Sequence, residues 1–114
     1  MTNVDGVPLL AAQVDVAEME ALREMADWFR DSVPSGVAVL GAANDGKVIL
    51  LAAVTEDLVP RGVKAGEIVG QVAGLVGGGG GGRPTLAQAG GRQPEKLPAA
   101  LAAVPEMVRR ALNG

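Results

Sequence analysis

The chain has 114 residues, enough for one domain around one core, and its 48% hydrophobic and 20% charged composition is that of a globular unit. It has no cysteine and no histidine, which excludes disulfides, thiolate nucleophiles, the usual catalytic base and the usual zinc ligands. The net charge of −3 argues against a general nucleic-acid binder, but the charge is uneven: residues 1–32 carry seven acids and two bases, and residues 83–114 carry two acids and five bases. The only aromatics are Trp28 and Phe29, so the core must be aliphatic. The longest apolar run, Val48 to Val54, is too short for a membrane span. Absence of cysteine and of a signal-peptide pattern at Met1-Thr2-Asn3 sets the expectation of a cytoplasmic protein without a membrane partner.

Val7 to Val14 reads as a first strand, with Pro8 suggesting an edge or an entry point. Asp15, with Glu18 three residues on, predicts a capped helix running to about Ser32. Leu22, Met25, Ala26, Phe29 and Val33 fall on its inner face with Trp28 beside them, and Glu20, Glu24, Asp27 and Asp31 form a solvated face. Val37 to Ala43 and Lys47 to Val54 are two further strands, and Asp45-Gly46 between them signals a tight hairpin. The second of the two is apolar on both sides, so it should be central and covered on both faces. Thr55 looks like the cap of one short turn that Pro60 ends.

Ala65 to Val76 predicts a helix with Ile68, Val69, Val72, Leu75 and Val76 inward and Gly77 at the position just past its end. Gly66, Gly70 and Gly74 weaken this helix, yet their four-residue spacing sets them on one side, where a backbone can approach closely. Beyond Pro94, Leu97, Leu101, Val104, Val108 and Leu112 keep helical spacing. Pro105 either kinks that helix or begins a new one at its first turn. Arg109 and Arg110 in the last turn suit the helix dipole.

The stretch Gly77–Arg92 is the most unusual. Six consecutive glycines read as a loop able to point several N–H groups into one concavity, a setting for phosphate, with a flexible linker as the alternative. Neither common nucleotide loop fits: the run follows a helical rather than a strand pattern, and Arg83-Pro84 stand where a phosphate-binding loop needs Lys then Ser or Thr. Arg83, Gln88 and Arg92 offer donors to phosphate and ribose oxygens, and the scarcity of aromatics makes base stacking a poor mechanism.

The run GGGGGGRPTLAQAGG at Gly77–Gly91 resembles the C-terminal, DHH-associated module of alanyl-tRNA synthetases. The likeness extends to Asp57–Glu67, to Lys96–Leu101 and to Val104-Pro105-Glu106, and so covers nearly the whole chain as one domain, residues 1–114. It implies an α/β (α+β) fold: a mixed sheet with a central hairpin, about three helices and a Gly-rich loop. It also implies a non-catalytic module that helps hold tRNA(Ala), chiefly near its outer corner, and links the aminoacylating and editing parts of the synthetase. ATP and zinc would belong to those other parts, and no cofactor to this one. The natural protein would begin upstream of Met1 with a helical segment that contributes to a possible homodimer. DHH-type phosphoesterases carry a histidine after the glycine run; Arg83 stands there, which sides with the synthetases. The expected RNA- or phosphate-binding residues are Gly78, Gly79, Gly80, Gly81, Gly82, Arg83, Gln88, Gly90, Gly91, Arg92 and Lys96, with Arg83 and Arg92 as the charged donors. The other readings are an accessory domain of a DHH-type hydrolase and a purely structural dimerisation module.

Overall fold

The computed structural model describes residues 2–114. Strands β1 (Thr2–Val4) and β2 (Val7–Gln13) precede helix α1 (Met19–Ser32), strands β3 (Val37–Asn44) and β4 (Lys47–Val54), helix α2 (Ala65–Leu75), strands β5 (Gly79–Gly82) and β6 (Leu86–Gly91), and helices α3 (Leu97–Ala102) and α4 (Val104–Asn113). The strands form one mixed sheet in the order β1-β2-β3-β4-β6-β5, in which only β2 and β3 run parallel. A parallel pair needs a long crossover, and α1 supplies it.

The central hairpin follows its sequence. Asp45 (φ 52°) and Gly46 (φ 76°) both take left-handed conformations, as a two-residue primed turn requires. β4 sends Leu50, Ala52 and Val54 to one face of the sheet and Leu51 and Ala53 to the other, and all five are buried. Helix α1 covers one face, setting Leu22, Ala26 and Phe29 on Ala38, Leu40, Leu51 and Ala53. Helices α2, α3 and α4 cover the other. Burying a side chain such as Phe29 or Leu22 contributes about 1.5–3 kcal/mol each. At the open end of the hairpin, Gly36 N–H donates to Thr55 Oγ1 (3.0 Å) and Ser35 Oγ donates to Asp57 Oδ2 (2.6 Å). That bond, with help from the Thr55 side chain, holds the Asp57 carboxyl below its ordinary pKa of 3.8.

Several elements differ from expectation. α1 begins at Met19, and neither Asp15 nor Glu18 caps it through a side chain. Val14 and Val16 are half-buried against the α1-side core, and Val14 N–H bonds Gly41 O (2.8 Å), so packing keeps this segment extended. β1 is an added edge strand, turned into β2 by Asp5 (φ 49°) and Gly6 (φ 90°). β2 is therefore internal, and Pro8 lies one residue before its parallel register with β3 begins at Leu9↔Val37. Thr55 receives a hydrogen bond from Gly36 and makes no cap bond to the short 3₁₀ turn at Glu56–Leu58. On α2, Leu75 is exposed while Ala65 and Ala73 are buried. Pro105 lies in the first turn of a new helix, so the described residues form four α-helices where about three were expected.

The largest correction falls on Gly77–Arg92. It is a β-hairpin, not an open loop. Gly77 (φ 72°) is the left-handed residue just past α2, and Gly78 N–H closes back on Ala73 O (2.8 Å). Gly79–Gly82 then pair antiparallel with Ala87–Gly90. Here glycine permits close approach. A Cβ at Gly80 would lie 2.5 Å from Ala89 Cα and from Gln88 O. On the helix side, Gly66 sits against the carbonyl and amide of Gly82, and Gly70 against the carbonyl of Gly80. The glycine stripe of α2 and the glycine strand β5 thus meet backbone to backbone.

Candidate nucleic-acid interface

α1 packs chiefly over β3 and β4, with Leu86 of β6 at the margin of the core beneath it. On that side of the sheet Gln88 stands exposed between Leu51 of β4 and Gly81 of β5. A Cβ at Gly79 or Gly81 would meet nothing within 4 Å, so this end of the sheet presents bare backbone. Arg23 reaches over from α1 and donates from Nη2 to Gln88 Oε1 (2.8 Å). That bond uses one lone pair of the Gln88 oxygen, and the carboxamide N–H₂ remains a donor. Arg23, Gln88 and Arg83 line one shallow depression of about 320 Å³, floored by Gly81, Leu51 and Ala87, with no acidic residue in its walls. Its two charged side chains are both cationic donors, so it suits an acceptor-rich ligand such as phosphate.

The structure brings some of the expected residues together and separates others. Arg83 and Gln88 share the depression with Gly81 and Gly82. Arg92 lies beyond the far end of β6, where its N–H bonds Val76 O (2.9 Å). Six residues of strand, roughly 20 Å, divide it from Arg83. Arg83 and Arg92 therefore do not converge on one concavity. Gly90 and Gly91 close β6 at the Arg92 end, and Lys96 is exposed in the 3₁₀ turn Pro94–Lys96 before α3. Gly78, Gly79 and Gly80 lie along β5 between the two ends. Arg109 and Arg110 are both engaged by Glu106 (2.9 and 3.3 Å), which fits the structural reading of that pair.

Arg23 is the residue that sequence reasoning passed over. It lies in the acidic third of the chain, and its partner is 65 positions away. The one signal was a base beside the buried stripe of a helix whose outer face is acidic. The largest depression, about 760 Å³ between α2 and α4, mixes Lys64 and Arg110 with Glu67 and converges on no single chemistry. Among the described residues, no group of three or more His, Cys, Asp or Glu side chains stands where it could hold a metal ion. No helix among them is long and apolar enough to cross a membrane.

The fold is that of a small α+β domain with a mixed six-stranded sheet, and Arg23 and Arg83 flank bare backbone at one end of it. The chain belongs to the DHHA1 domain family, whose model matches residues 6–110. Its curated relatives include the alanine–tRNA ligases of Chloroflexus aurantiacus (54% identical over 106 residues, 93% of this chain) and Bacillus subtilis (51% over 110 residues, 96% of this chain). The chain spans 12% of the length of each. The crystal structure of the C-Ala domain of Aquifex aeolicus alanyl-tRNA synthetase superposes with a TM-score of 0.86 at 30% identity, covering 95% of this chain and 96% of that one. The domain is therefore homologous to a small part of an aminoacyl-tRNA synthetase, and the mixed-sheet α+β expectation holds.

Proposed function

We propose that this domain is the non-catalytic tRNA-binding module of an alanine–tRNA ligase, holding tRNA(Ala) by its backbone while other parts of the enzyme aminoacylate and edit. The observation that carries the reading is the cationic depression of Arg23, Gln88 and Arg83, with no acid in its walls, beside the bare glycines of β5. Such a surface addresses phosphate and ribose oxygens, and no aromatic side chain lines it to stack a base. The DHH-hydrolase reading loses ground to relatives that are named as alanine–tRNA ligases.

The test is tRNA affinity measured at several salt concentrations, with circular dichroism as the fold control. Arg23→Ala with Arg83→Ala is expected to weaken binding and to flatten the log–log salt dependence by about 0.9 for each duplex phosphate no longer neutralised. Arg92→Ala, at the other end of the hairpin, should free no more than one phosphate. A double variant with wild-type affinity and slope refutes the assignment.

A further inference from the structure

The two faces of the sheet are unequally roofed. Three helices lie on one face and α1 alone on the other. Beside α1, on the flank away from Gln88, Leu10 and Ala12 of β2 are only half-buried, as are Val16 and Met25. Next to them stands Trp28, 65% exposed, the larger of the chain's two exposed large hydrophobic side chains among the described residues. Leu10, Val16, Met25 and Trp28 border an open groove of about 460 Å³. Its α1 wall is the stripe Ala21, Glu24, Met25 and Trp28, spaced i, i+3, i+4, i+7, so the groove runs along the helix axis.

We infer that this groove docks an amphipathic helix of a protein partner, one with an apolar ridge flanked by lysine or arginine. Three observations select that occupant. The groove's apolar side chains stand on the face of the sheet that α1 covers, so a helix packed beside α1 at about 8–10 Å extends that layer. Apart from Glu24 its lining side chains are apolar or Trp28, and an exposed Trp is the kind of residue that anchors an interface. Glu24 lines the groove, and Glu20, Asp27 and Asp31 are likewise exposed on α1. Asp27 is paired with Arg30 (2.8 Å), but no ion pair among the described residues involves Glu20, Glu24 or Asp31. Three unneutralised carboxylates repel RNA and attract a cationic flank. This surface is separate from the Arg23–Gln88 depression and stands whether or not that depression binds tRNA.

Trp28 is the only tryptophan, so its fluorescence reports on the groove alone. The probe is a synthetic, tryptophan-free amphipathic helical peptide with leucines at i, i+3, i+4 and i+7 and lysines on both flanks; its control replaces the lysines with glutamates. The lysine peptide is expected to shift Trp28 emission to the blue saturably, and to perturb the Leu10 and Ala12 amides in heteronuclear spectra. The glutamate peptide should leave both unchanged. Glu24→Lys with Asp31→Lys, exposed positions that carry no packing, should weaken the lysine peptide at least about tenfold. No saturable shift, equal affinity for the charge-reversed variant, or perturbation centred away from α1 and β2 overturns the inference. So does a wild-type dimer in sedimentation that Trp28→Gln dissociates, since a second copy would then be the occupant.

Discussion

Two antiparallel hairpins of the sheet, β3–β4 and β5–β6, are held by opposite means. In β3–β4, side chains do the holding: Val37, Val39, Leu40, Leu50, Leu51 and Val54 are buried between helical layers on both faces. In β5–β6 the strands close because side chains are missing, with Gly80 against Ala89 and Gln88, and with Gly82 and Gly80 under Gly66 and Gly70 of α2. A strand can thus be specified by what fills the space around it or by how little does. The second kind leaves backbone at the surface, and that is where the candidate phosphate contacts lie.

Three substitutions probe the contrast in order of effect. Leu50→Ala removes a fully buried side chain from the central hairpin and should cost about 2–5 kcal/mol in denaturant unfolding. Gly80→Ala adds a single methyl group where no room exists and should cost about 1–3 kcal/mol, because the obstructing atoms are backbone. Its neighbour Gly81→Ala, with open space around the new Cβ, should stay within about 0.5 kcal/mol of wild type. If Gly80→Ala and Gly81→Ala proved equally harmless, close packing would not be what the glycines of β5 provide.

An effect that depends on pH is expected at the clasp of the central hairpin. The Ser35 hydroxyl, followed by the Thr55 side chain, lowers the Asp57 pKa below 3.8. A carboxylate with a depressed folded-state pKa adds stability that is fully present above its unfolded value and is lost as pH falls through the folded one. Melting temperatures of wild type and Asp57→Asn should differ by a constant amount at neutral pH and converge well below pH 3.8. A difference that persists unchanged into strong acid would mean that the ionised carboxylate does not hold the hairpin end.

The same contrast explains what the sequence displayed. β3, β4 and α2 were legible because apolar spacing and Asp45-Gly46 act locally. The body of α1 was legible through Leu22, Ala26 and Phe29, but its start was not. Asp15 and Glu18 mimic a capping box, while Val14 and Val16 are drawn to the core as extended chain. β1 is only Thr2–Val4, too short for periodicity to register, although Asp5-Gly6 carries the same turn signal as Asp45-Gly46. β5 and β6 were misread because glycine and alanine have little strand preference of their own, and their pairing is set by α2 and β4. Of the candidate site, Arg83 and Gln88 were visible as donors. That Arg23 joins them, and that Arg92 is held apart, depends on strand direction and on a helix far away in sequence.

The backbone contact between α2 and β5 has one consequence for handling the protein. Within Gly79–Gly82 no charge, proline or bulky side chain discourages a foreign strand from pairing, which are the usual safeguards of a sheet border. Only the helix lying along it stands in the way. Loosening α2, for instance by placing a side chain at Gly66 where the Gly82 carbonyl leaves 3.1 Å, would uncover a sticky seam before it unfolded the core. Damage at that position would then show first as turbidity on storage, with the melting curve still close to normal.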